Sequence, residues 1–353
     1  MRILFTNAGL RNRAGTELWV RDAALGLQRR GHTAAAYSTV LGPVADVLQA
    51  WGIVVVDRLE ALPWEPDVIH GHHHAETMTA LVHFGTVPAV YVCHGVAPWQ
   101  EAAPRHPRLL RYGAVSELTR STSINRHGVP PERIAVLPNF VDLVEFPERG
   151  PLPERPQRAL LFGNQATPEF IYPEAAAGCQ RAGVALDAVG RGMGRVIERP
   201  GDLLGRYDIV FATGRSALEA LVCGAAVILC GPDGLGPLVT ADSLDRLRRQ
   251  NFALAAIDTP LTPEAVAARI ERYDAADAAR VTAGVRAEAG LDEAVSRLLA
   301  MYEGAIAEFR ADPGLARPPD PAAAAYIASL ALLARRTQRE ANRRAREGGS
   351  PQG

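Results

Sequence analysis

The run Thr213-Gly214-Arg215-Ser216-Ala217-Leu218-Glu219 gathers a glycine, a guanidinium, a hydroxyl and a carboxylate directly after the apolar segment Ile209–Ala212. That order suits an anion held at the start of a helix. Gly214 lets a ligand approach the backbone, the first helical amides donate to it, and Arg215 adds charge. Glu219 is then placed to accept hydrogen bonds from the two hydroxyls of a ribose. Ser216-x-x-Glu219 is also the spacing of a capping box, which explains both residues by helix stability alone. The two accounts compete for the Glu219 carboxylate, and spacing does not choose between them.

Three other segments carry chemistry-bearing side chains at the ends of apolar runs. Gly15 and Thr16, followed by Glu17, open a helix after the first apolar segment, where a ligand or only a helix start would explain them. His70-Gly71-His72-His73-His74, with Glu76 nearby, raises the question of a metal. Consecutive residues leaving a strand point in different directions and no HExxH spacing is present, so the expectation is cleft polar residues, with His72 facing a ligand, and no metal site. His94 follows the strongly apolar run Ala89–Cys93 and precedes a glycine, which places it to donate a hydrogen bond to a substrate hydroxyl or a leaving phosphate.

These segments need a scaffold that brings several strand ends to one side. Strand-like runs at Arg2–Thr6, Thr33–Tyr37, Val54–Val56, Asp67–His70, Ala89–Cys93, Tyr112–Val115 and Ile134–Leu137 alternate with helical periodicity, clearest over Thr16–Arg30. The stretch Glu145–Gln157 is dense in proline and charge and reads as a linker. Alternation then restarts: strands at Ala159–Phe162, Ala185–Val189, Ile209–Ala212 and Ala226–Leu229, helices at Pro173–Ala182 and Ala217–Val222. Helices dominate beyond Leu238. The pattern predicts two α/β units with mostly parallel sheets: residues 1–145, a linker at 146–157, and 158–311, whose last helix can cross back. Residues 312–353 form a Pro/Ala/Arg-rich tail with a helix over Ala322–Ala334, read as solvated or frayed, with peripheral contact to a membrane surface or a partner as the second reading.

Composition narrows the partners. The 353 residues carry a formal net charge of -1, so no general attraction to nucleic acid follows. All 38 basic residues are arginine, so no lysine is present for a phosphate clamp or a Schiff base. Cys93, Cys179, Cys223 and Cys230 form no CxxC pair and read as reduced thiols of a cytoplasmic protein. No apolar run approaches the ~20 residues of a membrane span, and the apolar start is too short for a signal peptide.

Several of these pieces, in this order, resemble the retaining glycosyltransferases of family 4, which have the glycosyltransferase-B fold. AGTELWV is similar to the family's Gly-Gly-x-Glu loop, with Ala14 in place of the first glycine. DVIHGHHH resembles its strand exit ending His-x-His, and CHG its second histidine-bearing strand end. GVPPERIAVLPNFVD resembles the segment before the interdomain linker, with Asn139 and Asp142 kept and Phe140 replacing a glycine. GRSALEALVCGAAVILCG resembles the donor segment. Two departures stand out. Phe211 occupies the place of the first of two donor-site glutamates, and Gly163-Asn164-Gln165 stands where the family has Gly-Arg and a following lysine.

The resemblance implies two Rossmann-like domains facing across a cleft, with a helical C-terminal extension, and metal-independent hexosyl transfer without a cofactor. The donor is a nucleotide-sugar and the acceptor a glycan, lipid-linked or small molecule. Donor contacts fall on Gly163, Asn164, Arg191, Gly214, Arg215, Ser216 and Glu219. Gly15, Thr16 and His72 lie on the acceptor side, His94 orients the sugar or acceptor, and Asn139 and Asp142 mark the hinge. The alternative is a binding or scaffold protein that keeps the fold without transfer, supported by Phe211, Asn164 and the missing lysine. An epimerase acting on sugar nucleotides is a third reading.

Overall fold

The computed structural model describes residues 1–96 and 99–348. The chain forms two compact units. The first holds residues 1–114, 119–135 and those from 297 on, and the second holds 115–118 and 136–296.

In the first unit β1 (Arg2–Thr6), α1 (Gly15–Arg29), β2 (Thr33–Tyr37), α2 (Pro43–Ala50), β3 (Val54–Val56), β4 (Val68–Gly71), α3 (His74–His83), β5 (Ala89–Cys93), β6 (Leu109–Ala114), α4 (Glu117–His127) and β7 (Ile134–Val136) follow one another. The strands order as β3-β2-β1-β4-β5-β6-β7. Ile3, Leu4 and Phe5 of the central β1 are wholly buried, as a strand covered on both faces requires. The chain winds outward from β1 in both directions, so the carboxyl ends of β1 and β4 flank the switch point where open sheets bind ligands.

The second unit runs through β8 (Arg158–Phe162), α5 (Tyr172–Arg181), β9 (Ala185–Val189), α6 (Gly201–Leu204), β10 (Ile209–Ala212), α7 (Gly214–Val222), β11 (Ala226–Gly231), β12 (Gly234–Leu238), α8 (Leu244–Arg249), α9 (Pro263–Ile270) and α10 (Ala275–Glu288). Its sheet orders as β12-β11-β10-β8-β9, with the switch point between β8 and β10. Strand β12 was not expected from its sequence, Gly-Leu-Gly-Pro-Leu. It is an antiparallel edge strand with a register shift, the one kind of place in a sheet where Pro237 is tolerated.

The proline-rich segment is not a free linker. Val141 and Phe146 are buried in the second unit's core, and the Arg149 amide donates to the Cys223 carbonyl at 3.0 Å. Arg149 also pairs with Asp208, and the Tyr273 hydroxyl donates to the Pro153 carbonyl. The crossing therefore lies at residues 135 and 136, ahead of the expected 146–157. The chain returns inside α11 (Leu291–Ala311), between 296 and 297.

The tail is likewise structured. After Asp312, the Arg317 amide donates to the Gly85 carbonyl and the Asp320 amide to that of Val82. A side chain on Gly85 would strike the Arg317 carbonyl, so the absence of a Cβ there admits this segment. Helix α12 (Pro321–Gly348) then packs along α3, burying Ala324, Ala331 and Arg335. The Arg335 guanidinium bonds the Glu76 carboxylate and the Ala8 carbonyl, at the carboxyl ends of β4 and β1. Expecting a helix of Ala322–Ala334 in a frayed tail missed this, because one buried ion pair decides it and alanine-rich periodicity does not reveal it.

Candidate functional site

The switch point of the second sheet holds a cavity of about 210 Å³ lined by Gly163, Asn164 and Gln165 after β8, Thr213 and Ser216 after β10, and Cys230 to Pro232 after β11. Strand β8 ends because the chain turns at Gly163 against a second tight loop. The Asn164 Oδ1 accepts from the Arg191 amide and its carbonyl from the Gly192 amide, both at 3.2 Å. Gly190, at φ +154°, is required here, since a Cβ would lie 1.9 Å from the Gly163 carbonyl oxygen. Gly163 itself has open space at its Cβ position, as does Gly214 at φ +59°. At Gly214 the left-handed backbone lets the chain enter the helix after the single residue Thr213.

That entry decides the capping question. Thr213 is the N-cap, which puts Ser216 inside the first turn, so Ser216-x-x-Glu219 is not a capping box. Ser216 faces the cavity. Glu219 accepts instead from Arg215 Nε at 2.8 Å, with both side chains nearly buried, and Arg215 Nη1 reaches the Phe140 carbonyl at 3.4 Å. Neither side chain of this pair lines the cavity, and the lining has no charged residue at all. Arg191, with an exposed side chain, brings its amide to the rim. A diphosphate placed here would meet Asn164, Ser216, Thr213 and the first-turn amides of α7 beyond Gly214, whose own amide donates to the Phe252 carbonyl at 2.8 Å.

Phe211 is a core residue, fully buried in β10 beside Leu161 and Ile228. It is not a ligand position with an altered side chain. With only Thr213 between β10 and α7, no loop exists at this turn to carry another carboxylate. Asn139 and Asp142 both belong to the second unit. Asn139 Nδ2 donates to Asn251 Oδ1 at 2.9 Å, and buried Asp142 accepts from the Val144 amide. Cys230–Pro232 were missed in the sequence, and Thr213 and Gln165, though part of the segments quoted, were not assigned as lining residues; their position after strands of one sheet was the available signal.

The switch point of the first sheet is lined with imidazoles. His70 and His72 lie on one face of the β4 exit, two residues apart, and His94 follows β5. Their rings stack, with centroids 4.7 Å apart for His70 and His72 and 4.8 Å for His72 and His94, against Trp19 of α1. His72 Nδ1 and His94 Nε2 share a hydrogen bond of 2.7 Å, and His70 Nδ1 one of 2.6 Å with the Tyr302 hydroxyl. His73 turns the other way: its Nδ1 accepts from the Ala8 amide and its Nε2 lies 3.7 Å from Glu101. Stacked rings do not converge on a common point, and no group of three or more His, Cys, Asp or Glu among the described residues is arranged to hold a metal ion. Gly15 and Thr16 form the first turn of α1, where Glu17 accepts from the Arg11 and Ala14 amides and so closes the loop after β1.

Burial dominates the protonation of this cluster. It depresses His70 and His72 well below their ordinary value and brings His94 to about 4, reinforced by imidazole neighbours. Glu101 is raised by burial, yet the His73 hydrogen bond and nearby imidazoles outweigh this and hold it below its usual value. The Nε2 atoms of His70 and His72 are buried without a hydrogen-bond partner, so an added proton has no acceptor. At neutral pH the stack is uncharged; His70 and His72 are wholly buried, so His72 does not face a ligand as expected, and only His94 is partly exposed. Because burial lowers all three imidazoles below the value near 6.5 that they have in the unfolded chain, the unfolded state binds more protons as pH falls below that value, and stability must fall with it. Thermal melts from pH 7 to 4 should show this loss, and His72→Phe should reduce its slope; an unchanged slope would refute the neutral stack.

The four cysteines are buried, and burial pushes each thiol up to about 12, so none is poised as a nucleophile.

Residues 43–145 match the family model Glycosyltransferase Family 4. No curated protein sequence matches the chain. Among solved structures, a glycosyltransferase from Rickettsia africae is similar with a TM-score of 0.64 at 14% identity, over 86% of this chain and 98% of that one. Anabaena HepE in complex with UDP-glucose is similar at 0.60 and 16%, over 85% and 99%. AviGT4, a glycosyltransferase of avilamycin A biosynthesis, gives 0.53 and 15%, over 87% and 98%. At such identities the likeness is one of fold. With that likeness over both units the chain has the glycosyltransferase-B fold, and within it residues 43–145 match glycosyltransferase family 4.

Proposed function

We propose that the chain transfers a hexosyl group from a nucleotide-activated sugar to a hydroxyl-bearing acceptor, with the nucleotide held by the second unit. The cavity at that unit's switch point carries this reading. It joins Gly163, Asn164 and Ser216 at a helix start, where amides and a helix dipole suit a diphosphate. HepE, which has the same fold, has been crystallised with UDP and with UDP-glucose.

In this reading the bond between the sugar's anomeric carbon and the diphosphate oxygen breaks as one to the acceptor oxygen forms, and the acceptor proton passes to the departing diphosphate. Asn164, Thr213, Ser216 and the amides opening α7 stabilise the negative charge that develops on the diphosphate. Glu219, paired with Arg215 beside the cavity, is the carboxylate this reading places toward the ribose. His94, being neutral, orients sugar or acceptor by a hydrogen bond, with wholly buried His72 holding its ring from behind and Gly15 and Thr16 beside the same strand ends. Retention of configuration follows from the family resemblance.

A second reading, nucleotide binding without transfer, is favoured by the uncharged cavity lining and by the commitment of Arg215 to Glu219. Thermal shift and donor turnover with UDP, UDP-glucose and other nucleotide-sugars separate the two. Ligand at about a hundred times its dissociation constant should stabilise the protein by about 2.7 kcal/mol. Ser216→Tyr, which fills the cavity, should abolish that shift while leaving the unliganded melt in place. Binding with no turnover across acceptors favours the second reading, and no shift with any nucleotide overturns both.

A further inference from the structure

Helix α12 has two unlike faces and two unlike halves. One face docks on the first unit through Ala324, Ala331 and Arg335. The opposite face presents Tyr326, Leu330 and Leu333, which are 66%, 45% and 60% exposed and sit at i, i+4 and i+7 on one stripe. No charged residue occurs from 321 to 334, whereas 335–348 holds six arginines against two glutamates. Arg335 is buried against Glu76, and the side chains of Arg336 and Arg343 are exposed to solvent.

Single exposed leucines are ordinary on protein surfaces, but three large apolar side chains in register on one helix, followed along the chain by an arginine-rich half whose Arg336 and Arg343 flank the stripe, are not. A nucleic-acid partner would want charge along the whole face, and the first half offers none. An apolar stripe running into a cationic half is the pattern of a helix lying in the headgroup layer, with its rings and leucines among the acyl chains and its guanidiniums at the phosphates. The overall net charge of -1 means that attraction to an anionic surface must be local, and this helix supplies it.

We propose that the outer face of α12 docks on a bilayer containing anionic lipids, with Tyr326, Leu330 and Leu333 inserted and Arg336 and Arg343 at the lipid phosphates. No helix among the described residues is long and apolar enough to cross a membrane, so the contact is peripheral. It does not depend on which reaction the chain performs.

Full-length protein is centrifuged with sucrose-loaded vesicles of phosphatidylcholine alone, or with about one-third phosphatidylglycerol, at about 0.1 M and 0.5 M salt. The wild type should pellet with the anionic vesicles and much less with neutral ones, and the higher salt should weaken binding several-fold. Leu330→Ser with Leu333→Ser should lower binding at least about fivefold, and Arg336→Gln with Arg343→Gln should remove most of the salt dependence. Both variants should melt like the wild type, because the altered side chains face away from the docked surface. Three results overturn the proposal: no pelleting of the wild type with anionic vesicles, unchanged pelleting of the leucine variant, or a stripe whose loss only disperses a dimer of this chain in sedimentation analysis without vesicles. RNA or DNA binding that competes fully with vesicles and survives the leucine changes overturns it as well.

Discussion

Arg335→Ala is expected to detach α12 and to destabilise the first unit by roughly 3–5 kcal/mol, the cost of leaving one partner of a buried ion pair alone. The side chains of Arg335 and Glu76 are 10% and 3% exposed, and the guanidinium also satisfies the Ala8 carbonyl and reaches Thr39 Oγ1. Removing it strips a buried carboxylate of its countercharge and a strand-end carbonyl of its donor. In limited proteolysis, cleavage between Asp312 and Asp320 should accelerate by orders of magnitude while the second unit keeps its protection. Arg335→Met with Glu76→Leu is the informative partner, because an apolar replacement of both charges is neutral or stabilising when the volume is kept. If Arg335→Ala alone melts like the wild type, the pair is not what holds the helix.

Glu219→Ala should cost the second unit about 3 kcal/mol, since it leaves Arg215 charged and nearly buried. At the sensitivity of a unit this size, that lowers the melting temperature by roughly 6–12 °C. It should also weaken nucleotide affinity. The two effects separate in Glu219→Gln, which keeps the shape and one acceptor. If Glu219 only neutralises Arg215, Glu219→Gln loses stability but binds nucleotide as well as the wild type. If it also holds a ribose, affinity falls further than stability accounts for. Arg215→Met in the Glu219→Gln background should recover the stability and not the affinity.

Much of the architecture was legible because parallel strands buried on both faces announce themselves as short apolar runs. Thr33–Tyr37, Val54–Val56, Ala89–Cys93, Ala185–Val189 and Ile209–Ala212 appear in the structure with the bounds expected. Strand β12 was not legible, because an edge strand with two glycines and a proline has no apolar alternation. Gly163, Asn164 and Ser216 could be named together because strand ends in such sheets converge. The fate of Glu219 could not: whether it caps a helix or pairs with Arg215 turns on one residue's left-handed backbone, which moves the start of α7 to Gly214. The same gap misplaced the crossing between units, since Val141 reads as part of the first unit and Phe146 as linker until the second unit's core receives them.

The first unit is built from the two ends of the chain, and that sets an order of assembly during synthesis. Glu76 and Arg335 stand 259 residues apart. At ribosomal rates of about 10 residues per second, the carboxylate of Glu76 waits on the order of half a minute for its partner. The second unit, encoded wholly within that interval, can fold before the first is complete. A chain that stalls before Arg335 exposes an unneutralised acid and the strand ends of β1 and β4. Such nascent chains are the ones expected to depend most on chaperones, for a reason of topology and not of low intrinsic stability.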